Sequence, residues 1–255
     1  MQCTYGAMNF HTVVLMYQQY AEQIRAGALA AYPNEAVWLI TAAGCQQVEN
    51  VASRPAETFR VAKLDMVHAQ AVGLLAVVHS HPDYPDCPSE ADMRGQLASG
   101  VPWGIVATDG EQTTPIRWWG HDDRPPLVGR GFVHGIADCY GLIRDYYAES
   151  HGITLPEFPR SWEGWRNGQD LYRDGFAAAG FRLIEQHEAR PGDMWLAQLR
   201  SPVPSHGGIV LPHGLALHHP CGRFPVDDSR LSVREPIGRW LPHITHWLRH
   251  SELDG

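Results

Sequence analysis

Helix-like and strand-like patterns of apolar residues alternate through the first half of the chain. Apolar residues recur at spacings of three and four over Thr12–Leu29, which predicts an amphipathic helix ending near Gly27. Two more helices are predicted, over Val61–Val72 and Ser89–Ser99. Short apolar runs between them predict strands at Ala36–Ile40, Gln46–Val51, Leu74–Val78, Gly104–Thr108 and Ile116–Trp119. This alternation predicts an α/β layer domain.

The pattern changes at a polar segment that carries two prolines and a glycine, His121–Arg130. Such a composition predicts a domain boundary, with residues 1–121 as the first domain, 122–130 as a linker and 131–255 as the second domain. The second domain is predicted to contain helices at 139–150 and 170–179 and a hairpin of strands at 205–211 and 214–219. The chain is therefore predicted to fold as two domains, α/β followed by α+β.

Composition excludes several classes of protein. The 255 residues are 44% hydrophobic and 19% charged, and the net charge of −8 disfavours a nucleic-acid partner. No apolar run approaches the ~20 residues that a membrane span needs, so no stable membrane insertion is expected. The N-terminus lacks a basic stretch followed by an apolar core, which predicts synthesis in the cytoplasm. Five scattered cysteines, at 3, 45, 87, 139 and 221, are expected to be free thiols.

The segment His79-Ser80-His81-Pro82 follows the apolar run at 74–78. Side chains alternate along a strand, so both histidines point to one face. With the nearby carboxylate of Asp92 they make three ligands, the number that a catalytic zinc keeps beside an open water position. A strand ending in a polar turn, with Ser89 capping the next helix, is the structural alternative. Glu35, at the mouth of an earlier strand, is by itself as well explained as a solvated residue.

Taken together, Glu35, His79-x-His81-Pro82 and Ser89-x-x-Asp92 resemble the JAMM (JAB1/MPN+) metallopeptidases, which have a cytidine-deaminase-like fold. The resemblance implies Zn²⁺ held by His79, His81 and Asp92. It also implies Glu35 as the general base on the metal-bound water and Ser89 as a hydrogen-bond donor to the oxyanion. The family often has glycine two or three residues after the glutamate, where this chain has Trp38. Such a large side chain is expected to narrow the cleft.

Cys139 is the second candidate for chemistry. Asp138 is a good N-cap residue, which places Cys139 at a helix start, where backbone N–H groups and the helix dipole favour a thiolate. A lone cysteine is otherwise most often a small core residue. A cysteine nucleophile needs a base, and the predicted hairpin brings His206 close to His218. Strand alternation points one of His218 and His219 inward, and the choice between them stays open.

This arrangement resembles the NlpC-type cysteine peptidases of papain-like fold. The resemblance implies Cys139 as nucleophile, His206 as base and His218 as the orienting residue, with His219 as its rival. The Pro191-Gly192-Asp193 turn matches a scaffold feature of that family. Many members carry a tyrosine shortly before the cysteine that lines the oxyanion site, where this chain has Phe132. An aromatic segment at 155–165 either lines a substrate groove or is packed loop, and His243 and His246 are interpreted as surface or packing residues.

A JAMM domain followed by an NlpC-type domain resembles the tail-tip assembly proteins of lambda-like siphophages. The resemblance implies a bifunctional peptidase built into the virion, with other tail-tip proteins as partners and peptidoglycan peptides as substrate, acting at the bacterial cell envelope. The zinc centre would then hydrolyse an amide or isopeptide. A structural tail component with weak or vestigial sites is one alternative, and a cytosolic isopeptidase is a weaker one.

Overall fold

The computed structural model describes residues 17–254, which divide into two compact units. One unit comprises the described residues up to Pro88 together with Asp92–Asp123, and the other comprises Ser89–Ala91 and the chain from Arg124 onward. The first part of the predicted Thr12–Leu29 helix lies outside the described residues. Within residues 17–254, no helix is both long and apolar enough to cross a membrane. The cysteines of this part, at 45, 87, 139 and 221, are free thiols as expected.

The first unit is built on a five-stranded sheet with the order β2-β1-β3-β4-β5. Only β3 and β4 run parallel, and the other neighbours are antiparallel. The strands are β1 (Val37–Thr41), β2 (Gly44–Val48), β3 (Leu74–Pro82), β4 (Trp103–Thr108) and β5 (Arg117–Trp119). Within residues 17–123, the helices α1 (Ala21–Ala31), α2 (Lys63–Val72) and α3 (Glu90–Ser99) alternate with these strands. The α/β prediction is confirmed, and β3 extends through both histidines of the His-x-His-Pro segment.

Helix α1 passes through Gly27 and ends at Ala31, so the predicted end near Gly27 is wrong. Gly27 is a site of close approach between helix and sheet. A Cβ added to Gly27 would lie 2.8 Å from Cζ2 of Trp38, which is too close for two carbon atoms. Ile24 and Ala28 are fully buried in the same cluster as Trp38. The glycine therefore lets the helix backbone approach the indole and does not stop the helix.

Trp38 does not narrow the cleft at the histidines, contrary to the sequence expectation. In the β1–β3 pairing Val37 lies opposite His79, and Trp38 lies opposite Val78. Paired residues share a face and successive residues alternate, so Trp38 and His79 occupy opposite faces of the sheet. The indole is fully buried beneath α1.

The second unit contains a six-stranded antiparallel sheet with the order β12-β10-β9-β8-β13-β7. Its strands are β7 (Phe181–Ile184), β8 (Met194–Ala197), β9 (His206–Leu211), β10 (Leu215–His218), β12 (Val233–Pro236) and β13 (Ile244–His250). A two-stranded sheet pairs β6 (Phe132–Val133) with β11 (Val226–Asp227). Helix α4 (Cys139–His151) contributes Leu142, Ile143 and Tyr147 to the core. The α+β prediction for this half is confirmed.

Helix α5 (Leu171–Gly175) is shorter than the helix predicted over 170–179. The backbone N–H of Phe181 donates to the carbonyl of Phe176 at 2.9 Å, and Gly180 adopts a φ of 86°. These two features turn the chain into β7, so residues 176–180 form turns. The predicted hairpin of β9 and β10 is present, with Leu211 paired to Leu215.

Candidate functional sites

Three buried donors converge in the first unit. His79 and His81 project from the same face of β3, and Asp92 lies in the first turn of α3. The Nε2 atoms of His79 and His81 are 3.0 Å apart. One carboxylate oxygen of Asp92 lies 3.3 Å from Nε2 of His79, and the other lies 3.6 Å from Nε2 of His81. One potential ligand atom from each of the three residues lies within 4.8 Å of the other two.

The surroundings of this cluster fix how its rings are used. Nδ1 of His81 lies 2.8 Å from the carbonyl of Pro85, so it carries the proton and leaves the Nε2 lone pair facing the cluster. His79 is enclosed by the rings of Phe59, Trp103 and Trp119, and burial lowers its pKa. Such a dry pocket favours a neutral imidazole, which is the form that binds a metal.

The charges within the cluster act differently on its members. Burial opposes ionisation of Asp92, yet the charges and hydrogen bonds of the two histidines hold the pKa of this carboxyl far below its usual range. Burial likewise opposes a charge on His81, and the contacts with Asp92 reverse this and raise its pKa. Two nitrogens and a carboxylate that meet at one point, away from water, fit the donor set of a divalent metal ion.

Glu35 is buried at the entry to β1, beside this cluster. Burial raises the pKa of its carboxyl to about 7, with His81 lowering it and Asp92 raising it. Its backbone is held by the side-chain amide of Asn50, which donates to the Glu35 carbonyl at 2.9 Å. A carboxyl that titrates near neutral pH is suited to accept and return a proton.

Ser80 is a positioning residue that the sequence did not reveal. It lies between the two histidines, so strand alternation turns it away from them. Its hydroxyl accepts a hydrogen bond from the N–H of Ala36 at 2.8 Å, and its own N–H donates to the carbonyl of Ala36 at 2.9 Å. This two-point contact fixes the chain next to Glu35. Ser89 directly precedes α3, and its side chain is exposed.

In the second unit, Asp138 organises the start of α4. One of its carboxylate oxygens accepts from the N–H of Gly141 and the other from the N–H of Gly135, both at 2.9 Å. The guanidinium of Arg160 binds the same two oxygens, at 2.8 and 2.9 Å. Burial of Asp138 alone would raise the pKa of its carboxyl, but the charge and hydrogen bonds of Arg160 hold that pKa well below its usual range. The cap predicted for Asp138 is confirmed, and Cys139 is the first residue of the helix.

The thiol of Cys139 is protonated at rest. Burial and the neighbouring charge of Asp138 raise its pKa to about 11, although the hydroxyl of Tyr172 and the N–H of Gly207 both stabilise the anion. The expectation that the helix start would favour a thiolate is therefore wrong, because burial outweighs the helix dipole. The Tyr172 hydroxyl lies 3.1 Å from Sγ, a contact that no sequence pattern had indicated.

The hairpin brings His206 and His218 together, with 3.1 Å between Nε2 of His206 and Nδ1 of His218. Both rings are buried, and burial lowers the pKa of each, that of His206 most strongly. His219 is turned away: its Nε2 lies 3.0 Å from the carbonyl of Arg230, and its ring packs on Phe132. Of the two rivals for the third position, the structure places His218 beside His206.

A groove opens at Cys139. Trp162 and Trp165 line it, so part of the aromatic segment at 155–165 forms a wall of this groove. Phe132, Tyr172 and Ser205 also contribute to its lining. His243 is exposed and His246 is half-buried, in agreement with the interpretation of these two residues as surface or packing residues.

Comparisons with known proteins match each half of the chain to a family. Residues 17–121 match the family model described as prokaryotic homologs of the JAB domain. Residues 114–238 match the model of the NlpC/P60 family. A crystal structure of an NLP/P60-family protein from Staphylococcus aureus is 21% identical, covers 49% of this chain and 37% of its own, and has a TM-score of 0.31. The two family models confirm the resemblance of each half to its family.

Two relatives span most of both proteins' lengths. Tail tip assembly protein K of Escherichia phage lambda is 41% identical over 158 residues, which are 61% of this chain and 74% of the relative. Tail tip assembly protein K of Escherichia phage N15 is 31% identical over 250 residues, covering 94% of this chain and 98% of the relative. The chain therefore belongs to the tail tip assembly protein K family, with a JAB-like domain followed by an NlpC/P60 domain.

Proposed function

We propose that this protein is a bifunctional peptidase of a phage tail tip. Its second domain cleaves peptidoglycan peptides with Cys139, and its first domain is a zinc-dependent amide or isopeptide hydrolase. The names of the relatives support a place in the tail tip, with other tail-tip proteins as partners. Carried in the virion, the enzyme acts at the cell envelope. The observation that carries the proposal is the position of the Cys139 thiol, in a groove and against the backbone N–H of Gly207, the residue after His206.

The cysteine reaction uses His206 as general base. Because Nε2 of His206 is engaged by His218, Nδ1 is the nitrogen left to take the thiol proton. The sulfur attacks the carbonyl carbon of the peptide, and the imidazolium returns the proton to the leaving amine. Water, activated by the same nitrogen, then releases the acyl group from Cys139. The backbone N–H of Cys139 at the helix start donates to the oxyanion.

The raised pKa of the thiol decides how this reaction begins. With the Cys139 pKa at about 11 and that of His206 lowered by burial, the resting pair is neutral. Proton transfer must therefore accompany the attack on the substrate, and no preformed ion pair supplies the nucleophile. We expect a slow enzyme, well matched to a single penetration event. The same features favour the alternative of a structural tail protein with weak sites, as does the absence of a hydroxyl at Phe132.

In the first domain, His79, His81 and Asp92 would hold a zinc ion. When bound, zinc supplies Lewis acidity and lowers the pKa of a coordinated water toward ~7. Glu35, whose carboxyl has a pKa of about 7, would act as the general base: its carboxylate would take a proton from the attacking water and pass it to the leaving amine. Ser89 is assigned as a donor to the oxyanion from the start of α3. The ring nitrogen of His81 that faces Pro85 keeps that ligand in its metal-binding orientation.

Peptidoglycan digestion tests the main proposal. Purified protein is incubated with peptidoglycan, and the soluble muropeptides are resolved by mass spectrometry. Cys139→Ser should abolish the fragments, whereas Cys45→Ser, which changes a half-buried thiol of the first domain, should leave them unchanged. An unchanged pattern from Cys139→Ser would remove the cysteine mechanism, and a wild type without any cleavage would favour the structural alternative.

Metal content tests the zinc centre separately. Elemental analysis of the purified protein should find zinc at close to one ion per chain. His79→Ala and Asp92→Ala should each lose it, while His243→Ala, which changes an exposed histidine, should retain it. A wild type that binds no metal after dialysis against zinc would rule out this centre.

A further inference from the structure

A carboxylate closes the far end of the histidine pair in the second unit. Oε1 of Glu235, on β12, lies 2.9 Å from Nε2 of His218. The same oxygen accepts a hydrogen bond from the indole N–H of Trp240 at 2.8 Å. The other oxygen, Oε2, is bound by Arg239 at 2.9 Å. The carboxylate is therefore held in one orientation by three partners, with one oxygen directed at the ring of His218.

Glu235 is ionised, which removes the ambiguity of the ring protons. Its hydrogen bonds from Trp240 and His218 outweigh its partial burial and hold its pKa below the usual range. An ionised carboxylate only accepts hydrogen bonds, so Nε2 of His218 must carry the proton. Because burial keeps the His218 ring neutral, its Nδ1 is then a bare acceptor. The next donor in the chain must be Nε2–H of His206, 3.1 Å away.

We propose that Glu235 is a positioning residue that sets the tautomers of His218 and His206, leaving Nδ1 of His206 as the bare nitrogen that accepts the Cys139 proton. This inference rests on the proposed roles of Cys139 and His206. Without the carboxylate, His218 can carry its proton on Nδ1. His206 then holds its own proton on Nδ1, the nitrogen proposed to take the thiol proton, which becomes a donor in place of a base.

Trp240 ties the same carboxylate to the packing of both rings. Its indole lies 4.8 Å from the ring of His206 and 4.7 Å from that of His218, measured between centroids. Because its N–H is bound to Glu235, the indole is anchored over the two imidazoles. Glu235 thus fixes the positions of the ring protons directly, and through Trp240 it also fixes the packing against the two rings. The charge of Glu235 also stabilises the imidazolium that forms when His206 accepts a proton.

Two substitutions separate these effects. Glu235→Gln keeps an oxygen that can accept from His218 and Trp240, but removes the charge. Glu235→Leu removes the acceptor altogether. Glu149→Gln, on the exposed face of α4, is the matched control for the loss of one carboxylate. The full chain is used throughout, with a soluble disaccharide-tetrapeptide prepared from peptidoglycan as the probe substrate.

Kinetics on this substrate give the first result. We expect Glu235→Gln to lower kcat about tenfold and Glu235→Leu about 100-fold, with KM unchanged within about twofold. The acid limb of the pH profile should shift to lower pH in Glu235→Gln, because loss of the negative charge disfavours the imidazolium. Two other titratable groups act on the hydrogen-bonded line of His206, His218 and Glu235. A charge on His219 would lower the pKa of His206, and Arg239 forms an ion pair with Glu235; both residues are unchanged in the variants.

Ring ¹⁵N chemical shifts give a result that does not depend on substrate. Wild type and Glu235→Gln should show His218 protonated at Nε2, assigned by comparison with His218→Asn, and Glu235→Leu should show the Nδ1–H form or a mixture. Unchanged tautomers in Glu235→Leu would overturn the inference, as would wild-type kcat in both variants. If Glu235→Leu fails to fold, the kcat and pH profile of Glu235→Gln decide alone. Should Cys139→Ala prove as active as wild type, the proposed function fails, and the tautomers still show whether Glu235 orients His218.

Discussion

The ion pair of Asp138 and Arg160 beneath the Cys139 helix offers the sharpest test of stability. Arg160→Met keeps an unbranched apolar side chain and removes both hydrogen bonds of the guanidinium to the Asp138 carboxylate. The carboxylate then remains buried with hydrogen bonds from the N–H groups of Gly135 and Gly141 and with Nδ1 of His134 at 3.9 Å. Leaving one member of a buried pair without its counter-charge costs about 3–5 kcal/mol. We therefore expect Arg160→Met to lower the free energy of unfolding of the second unit by that amount at pH 7.

A double-mutant cycle isolates the pair from its surroundings. Asp138→Asn retains an oxygen for Gly141 and presents an amide to the guanidinium, and we expect a loss of about 2–3 kcal/mol. The double variant should lose less than the sum of the two, with a coupling of about 2–3 kcal/mol. Arg166→Met is the control, because Arg166 forms an exposed ion pair with Glu163 in the same loop, worth less than about 1 kcal/mol.

Hydrogen exchange measured by mass spectrometry on the full chain reports each unit separately. Peptides from α4 should lose protection by the predicted amounts, while peptides from β1 and β3 of the first unit should not change. The pKa of Asp138 is depressed in the folded state, so its contribution is complete above the unfolded pKa of about 4 and fades as the pH falls below it. The difference in the free energy of unfolding between wild type and Arg160→Met should become smaller as the pH falls below about 4. Additivity of the two single variants within about 0.5 kcal/mol would refute the argument.

Other consequences of the structure can be measured directly. With the Cys139 pKa at about 11, the rate at which iodoacetamide alkylates this residue should rise about tenfold per pH unit from pH 7 to 10. Peptide mass analysis measures the rate, and a rate that is already constant near pH 7 would contradict this. Tyr172→Phe removes a hydrogen bond to the sulfur and should slow alkylation at pH 9 about two- to tenfold, whereas Tyr84→Phe, at an exposed position, should not. Gly27→Ala should lower the stability of the first unit by about 1–3 kcal/mol in urea unfolding, because the added Cβ meets Trp38, and Gly238→Ala, in open space, is its control. Saturating zinc at 1,000 times its Kd should stabilise the first unit by about 4 kcal/mol, and His81→Ala should abolish that gain.

Much of the fold and many of the candidate residues can be predicted from the sequence with rules that act within one element or one turn. His79 and His81 lie two residues apart in one strand, so alternation alone puts them on one face. His206 and His218 lie on neighbouring strands of a short hairpin, whose connection brings them together. Asp138 was recognised as a cap because the capping interaction spans three residues. Each of these relations is set within one element or one turn.

Contacts between distant segments could not be predicted in this way. Tyr172 reaches Cys139 from 33 residues further along the chain, and Ser80 binds Ala36 across 44 residues. The pKa of the Cys139 thiol depends on burial, which only the packed unit creates, so the helix position alone predicted the wrong direction. Gly27 looked like a helix end because glycine often ends helices, whereas its role here is set by an indole on another element.

The two histidine pairs of this chain show how the placement of a carboxylate selects the chemistry. The nitrogens that face each other are nearly the same distance apart, 3.0 Å between His79 and His81 and 3.1 Å between His206 and His218. Asp92 reaches the same ring nitrogen that each histidine directs at its partner, so all three donors meet at one point. Glu235 instead binds the opposite nitrogen of His218, so the groups form a line.

A point of convergence and a line favour different chemistry. Donors that converge on one point repel one another unless a cation or a proton lies among them, which is the condition for the proposed zinc site. Groups in a line each donate to the next, which fixes every proton and leaves one bare nitrogen at the end. The first pair should therefore respond to chelators and the second should not. Treatment with a chelator that removes all bound zinc should leave the His218 tautomer and the cleavage of peptidoglycan peptides unchanged, and a parallel loss of that cleavage would show that the two centres are not independent.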